Sequence, residues 1–274
     1  MLRDITIGQY YQADSVMHRL DPRTKIVLTF VYILSLFIFE NPAVYSVAAL
    51  FLIIEIILSK VPVLYMVRGL KPVVFLLAFT VVVNMFFTGG QELFSFWIFR
   101  ITIEGIKRSA YLVGRIVFLV LASNLMTLTT APVSLTNALE YLMKPLKLFR
   151  VPVHEVAMMM SIALRFIPIL VDETNKIMKA QMARGADFES GNIIKKTKSF
   201  VPIIIPLFVS AFRRANNLAQ AMEARCYNGG EGRTRLNPLK YKRGDIVAYV
   251  LLVIYAVLIV LMGCFLFKAP PVAL

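Results

Sequence analysis

Two arginines in matching surroundings are the residues of this chain best placed to do chemistry. Ala183-Arg184-Gly185 and Ala224-Arg225-Cys226 each set an arginine between small neighbours, where a helical pattern gives out in a strongly basic stretch. A guanidinium presents N–H donors in a planar fork that suits a bidentate grip on a carboxylate in a partner's groove. The simpler role is to complement the negative end of its own helix dipole. Two such arginines in matching cassettes favour presentation to another protein over a purely local role. Catalytic signatures are missing from the sequence. There is no Gly-x-x-x-x-Gly-Lys-Ser/Thr phosphate loop, no His-Glu-x-x-His, and the two histidines are His18 and His154. Two cysteines, Cys226 and Cys264, supply neither a metal spacing nor a disulfide framework. No catalytic, cofactor-binding or metal-ligating residue is expected.

The two cassettes are related by more than their own residues. Sliding the chain by 41 positions superposes Asn175 on Asn216, Ala180 on Ala221, Ala183 on Ala224 and Arg184 on Arg225. A weak duplication of this kind brings the arginines to equivalent ends of two helices. Gly185 is a natural C-terminal cap, and Cys226 is small enough to leave its arginine uncovered.

The elements that must carry these helices are set by composition. Of 274 residues, 58% are hydrophobic and 17% charged, and the net charge is +14. A mean hydropathy of +0.72 makes this an integral membrane protein. The basic excess abuts hydrocarbon-length runs, so it points to a membrane surface or protein partner and away from nucleic acid. No cleavable signal peptide is expected, because the first 25 residues are charged and lack a long apolar core.

Asp21 as N-cap and Pro22 at the first helical position predict a helix start at the membrane entry. Ile26 to Phe39 and Ala43 to Ser59 are short apolar runs, open to being two crossings or a hairpin with a turn at Asn41-Pro42. Further runs cover Pro72 to Thr88, Gly105 to Thr130 and Ile246 to Phe267, and the aromatic segment Leu93 to Ile103 suits an interfacial belt. Asn84, Arg115 and Asn124 are polar residues within these runs. Arg115 is open to a functional role or to snorkelling at the interface. From Ser134, Leu135, Ala138, Leu139, Leu142, Met143 and Leu146 recur at helical spacing and predict an amphipathic helix ending near Pro145. Two longer helical stretches follow, His154 to Arg184 with a bend at Pro168, and Ser199 to Cys226 with Pro202 and Pro206. A polar link, Glu189 to Lys198, joins them.

These elements predict an all-α integral membrane protein with about five transmembrane helices and a cytoplasmic helical coupling module inserted before the last span. The expected organisation is a cytoplasmic segment over 1–25, about four spans over 26–130, the module over 131–243, and the last span with its tail over 244–274. A cytoplasmic N-terminus follows from the distribution of Lys and Arg, which are dense in the segments that then face inward and sparse in the outward ones.

Along essentially its whole length the chain resembles the transmembrane T component, EcfT, of energy-coupling factor transporters. The resemblance is carried by the two Ala-Arg-Gly-like cassettes, by Met178 to Ala186, and by an N-terminal signature of Gly8-Gln9-Tyr10, Ser15 and His18 to Lys25. Cys226 stands where glycine is also common. The resemblance implies a prokaryotic cell-membrane scaffold that is not an enzyme. Two cytoplasmic ATPase subunits would be held through Ala183, Arg184, Gly185, Ala224, Arg225 and Cys226. A membrane-embedded S component importing vitamins or transition-metal ions would meet apolar faces, with Leu135, Leu139, Leu142, Met158 and Met159 as candidates. A stand-alone permease is the alternative, and it requires polar residues gathered within the spans.

Overall fold

The computed structural model describes residues 10–39, 41–89, 92–96, 99–186, 188, 193–229 and 238–265. Helices carry the fold. In chain order they are α1 (Val16–Arg19), α2 (Pro22–Ile38), α3 (Pro42–Ser59), α4 (Val63–Arg68) and α5 (Val74–Phe87), then, after a hairpin, α6 (Ile103–Thr129), α7 (Pro132–Leu142), α8 (Val153–Ala183), α9 (Ile193–Ala224) and α10 (Arg243–Phe265). They belong to two compact units, one built from 8–138 and 239–274 and the other from 139–238.

Local chemistry sets the ends of the first helices. The Asp21 carboxylate accepts from the Arg23 N–H at 2.9 Å and Pro22 opens α2, as the sequence predicts. Asn41 does the same for α3, its side-chain oxygen accepting from the Ala43 N–H at 3.1 Å ahead of Pro42. The expected turn at Asn41-Pro42 is thus also a helix start. Each such cap satisfies one orphan donor and contributes about 1 kcal/mol.

In the first unit α2, α3, α6 and α10 share one core. Leu28, Tyr32 and Leu36 pack with Val44, Ala48 and Leu52, with Ala122, and with Leu252, Tyr255 and Ile259. Tyr32, Phe51 and Tyr255 stack with ring centroids 4.4 to 6.0 Å apart. The buried phenols are satisfied, Tyr32 by donating to the Ala48 carbonyl and Tyr255 by a 2.6 Å hydrogen bond with Ser35. Helices α5 and α6 approach so closely that a Cβ at Gly105 would stand 2.8 Å from the Asn84 carbonyl oxygen, which requires glycine there.

The described residues between α5 and α6 are not helical. Strands β1 (Glu92–Phe96) and β2 (Phe99–Thr102) form an antiparallel hairpin on the aromatic segment read as an interfacial belt. Aromatic and β-branched residues favour a pleated surface, and the hairpin leads into α6, whose N-cap Thr102 accepts from the Gly105 N–H at 3.1 Å.

Five helical segments are long and apolar enough to cross a membrane: Pro42–Ser59, Val63–Met85, Ile103–Thr129, Val153–Ala183 and Arg243–Cys264. The number agrees with the sequence expectation, while the membership differs. Helix α2, with 17 residues, stands at the lower end of spanning length, and Val153–Ala183 takes its place in the set. The most apolar 18 residues of that segment have the lowest mean hydropathy among the five, 1.6, against 2.9 for those of Arg243–Cys264.

Helix α9 begins at Ile193, so residues 193–198 of the expected polar link are helical. Residues 189–192 of that link, and Gly230 to Arg235 of the basic loop, lie outside the described residues. Helix α7 begins at Pro132, ahead of the expected cap at Ser134, and is followed by a 3₁₀ turn over Lys144–Phe149. Its buried positions are Thr136 and Ala138. Thr136, which lies outside the apolar positions of that periodic pattern, is buried with its hydroxyl donating to the Val133 carbonyl.

Candidate partner-binding site

The two arginine cassettes have the same backbone design. At the end of α8 the Arg184 and Ala186 N–H groups both donate to the Gln181 carbonyl, at 3.0 Å each, and the Gly185 N–H donates to Met182 at 2.9 Å. At the end of α9 the Arg225 and Tyr227 N–H groups both donate to Met222, at 3.1 and 3.0 Å, and the Cys226 N–H donates to Glu223 at 2.9 Å. Each is a Schellman-type cap, in which the residue after the arginine turns left-handed and closes off the last carbonyls. Gly185 has φ +88° and Cys226 has φ 56°. The shift of 41 residues inferred from four identities therefore holds for the hydrogen bonds, atom for atom.

Ala183, Arg184, Gly185, Ala224, Arg225 and Cys226 are all exposed. Neither Arg184 nor Arg225 makes an ion pair or hydrogen bond through its side chain with a described residue. The last helical carbonyls are already taken by the cap N–H groups. Among the described residues, two guanidinium forks thus stand exposed, flanked in sequence by alanine and by glycine or cysteine.

The helices bearing them are tied together. The Glu173 carboxylate on α8 accepts from the Ser210 hydroxyl and from Arg214 Nη2 on α9, both at 2.6 Å, one through each oxygen. Beside this tie, Ile162, Phe166 and Leu170 on α8 and Ala211, Leu218 and Met222 on α9 line an apolar cleft that Arg214 also borders. Sequence reading passed over Glu173 and Arg214. They are separated by the same 41 positions as the arginines, but their opposite charges hide them from a search for identities.

The candidate S-component residues are less uniform. Leu135, Leu139, Leu142 and Met158 are half-buried, while Met159 is 57% exposed. A longer apolar stripe that periodicity did not single out runs along α9, where Phe200, Ile204, Phe208 and Phe212 recur every fourth residue and are exposed by 45 to 64%.

The polar residues within the expected spans are engaged inside their own unit. Arg115 Nε donates to the Leu36 carbonyl at 3.1 Å, in the last turn of α2, and to the Tyr45 hydroxyl at 3.2 Å. Its guanidinium lies 5.0 Å from the Phe37 ring centroid. In this arrangement Arg115 caps the end of α2 from the side. Asn84 donates to the Thr80 carbonyl and Asn124 to the Met66 carbonyl.

The family model described as CbiQ, cobalt transport protein, matches residues 13–236. The chain belongs to the CbiQ family. Among relatives named energy-coupling factor transporter transmembrane protein EcfT, one from Clostridium kluyveri is 52% identical over 250 residues, covering 90% of this chain and 93% of its own length. The protein of that name from Ruminiclostridium cellulolyticum is 48% identical over 262 residues, covering 96% of this chain and 98% of its own. The one from Bacillus subtilis is 44% identical over 260 residues, covering 94% and 98%. The match to the CbiQ model takes in both arginine cassettes and most of the N-terminal signature, His18 to Lys25 included. The chain is a multi-pass membrane protein of a bacterial transporter family.

Proposed function

We propose that this chain is the non-enzymatic transmembrane coupling subunit of an energy-coupling factor importer. It links ATP hydrolysis by two cytoplasmic ATPase subunits to movement of a substrate-binding S component, for uptake of vitamins or transition-metal ions. The family's description, cobalt transport protein, and the relatives' name, energy-coupling factor transporter transmembrane protein, support the class of machine. The observation that carries the reading is the pair of identical helix caps, each presenting one exposed arginine. Two equivalent forks suit two homologous partners, each taking one arginine into a groove. In this reading the N-terminus and the module lie in the cytoplasm, and Leu135, Leu139, Leu142, Met158, Met159 and the α9 stripe are the apolar surfaces for the S component and lipid.

The permease alternative has less to draw on, because Asn84, Arg115 and Asn124 each donate to a backbone carbonyl. The test is Arg184→Ala with Arg225→Ala. Truncating one partner of a buried charge pair costs about 2 to 5 kcal/mol. The doubly substituted protein should insert normally, lose both ATPases on purification and lose coupled uptake. Retention of both ATPases with full transport-coupled hydrolysis would exclude this role for the arginines.

A further inference from the structure

We propose that Glu173 is a positioning residue which, with Ser210 and Arg214, forms the pivot that fixes the separation of the arginine-bearing ends of α8 and α9. The proposal rests on the reading of Arg184 and Arg225 as ATPase contacts and adds what holds them at the right distance.

The first support is the geometry of the carboxylate. Its two oxygens are each committed at 2.6 Å to residues four apart on α9. Residues four apart lie one above the other on the same helix face, so Ser210 and Arg214 grip Glu173 at two heights and resist both sliding and rotation. The neighbouring contact cannot do this. It is an apolar cleft between Ile162, Phe166 and Leu170 on one side and Ala211, Leu218 and Met222 on the other, and apolar burial is non-directional.

The second support is where the pair falls in the duplication. Glu173 and Arg214 are 41 residues apart, as are Arg184 and Arg225. Contact between equivalent positions is what two copies of an element make where they cross a two-fold axis. The ion pair therefore marks the point about which the two helices are interchangeable. From it each arginine lies eleven residues onward, about 16 Å along its helix at 1.5 Å per residue. The arms are equal. A turn of about 5° at the pivot moves an arm's end by about 1.4 Å, more than the spread of lengths that a hydrogen bond tolerates. A charged, two-point pivot on equal arms can keep both guanidinium forks in register with two partners at once.

The test measures the separation directly. Spin labels are placed in the full chain at the exposed equivalent positions Lys179→Cys and Gln220→Cys, with Cys226→Gly and Cys264→Ser removing the native thiols, and distances are read by double electron–electron resonance in nanodiscs. A single narrow distance is expected, broadened or shifted by several ångströms in Glu173→Ala. The exchanged pair, Glu173→Arg with Arg214→Glu, should restore it. Retention of the ATPases should fall about tenfold in Glu173→Ala and recover in the exchange. Ser210→Ala, which keeps the ion pair, should broaden the distance less, and it carries the test if Glu173→Ala does not fold. An unchanged distance in the alanine variants, or an exchange that folds yet fails to restore it, would overturn the pivot. A broadened distance with full ATPase retention would instead leave the pivot standing and remove the ATPase reading of the arginines.

Discussion

The residue after each arginine decides how the fork is presented. Gly185 and Cys226 both adopt left-handed backbone, a conformation glycine takes freely and a residue with a Cβ takes at a cost of about 1 kcal/mol. A Cβ at Gly185 would meet nothing within 4 Å, so the penalty there is conformational and not steric. Gly185→Ala should lower the unfolding midpoint in detergent and weaken ATPase retention, whereas Cys226→Gly should leave retention intact and raise the midpoint slightly. Equal loss from both substitutions would show that the cap geometry does not govern presentation. The arginines were legible in the sequence because they are identical and flanked by identical alanines. The carboxylate behind them was not, because Glu173 and Arg214 satisfy the repeat by opposite charge, which only the packed helices reveal.

At the scale of elements, the N-terminal signature proves to be a junction between helices. Asp21, Arg23, Lys25 and Asp245 are all buried, two acids with two bases. Asp21 pairs with Arg23 at 2.8 Å, and Arg23 lies 4.0 Å over the Tyr241 ring. Asp245 accepts from the Asp21 and Lys242 N–H groups, at 2.7 Å each, and Lys25 donates to the Thr129 carbonyl at 2.7 Å. The start of α2, the end of α6 and the start of α10 are thereby joined. The Asp21 cap could be read from its own neighbours. Its tie to Asp245, 224 residues away, could not, since no local pattern records so distant a partner. His18 extends the junction, with Nε2 donating to the Tyr11 carbonyl at 2.8 Å and Nδ1 bonded to Ser15 at 2.7 Å. Desolvation is the largest influence on its imidazole and holds it below the ordinary 6.5, with Lys25 adding to that and the Tyr11 carbonyl and Asp14 opposing it. The folded chain therefore disfavours the charged form. As pH falls through about 6.5 the unfolded chain takes up the proton first, so stability is full above that value and is lost below it. Thermal unfolding should shift downward between pH 7.5 and pH 5.5, and by a smaller amount in His18→Gln. An equal shift in both proteins would remove His18 as its source.

For the whole molecule, length, packing and charge bear on which helices cross. Helix α2 is short, yet Leu28, Tyr32 and Leu36 share one core with α3, α6 and α10 along its length, and a helix packed so evenly among spanning helices occupies their depth. Helix α8 is long enough to cross, but Arg165, Asp172, Glu173, Lys176 and Lys179 fall within it, each costly in hydrocarbon. Length and composition alone admit α8 and pass over α2, while packing and charge favour the reverse. With α2, α3, α5, α6 and α10 as the five crossings and the N-terminus inside, Lys60, Arg68, Lys71 and the basic stretch from Lys144 to Arg243 would all fall on the cytoplasmic side, in keeping with the bias of positive charge. Single cysteines at Gly89, Lys144 and Gln220, with Cys226→Gly and Cys264→Ser, separate the two arrangements. A membrane-impermeant maleimide should label Gly89→Cys in intact cells, and Lys144→Cys and Gln220→Cys in inverted vesicles. If α8 crosses instead, Lys144→Cys and Gln220→Cys must be labelled from opposite sides. The two arginine-bearing ends would then no longer project from one continuous cytoplasmic module.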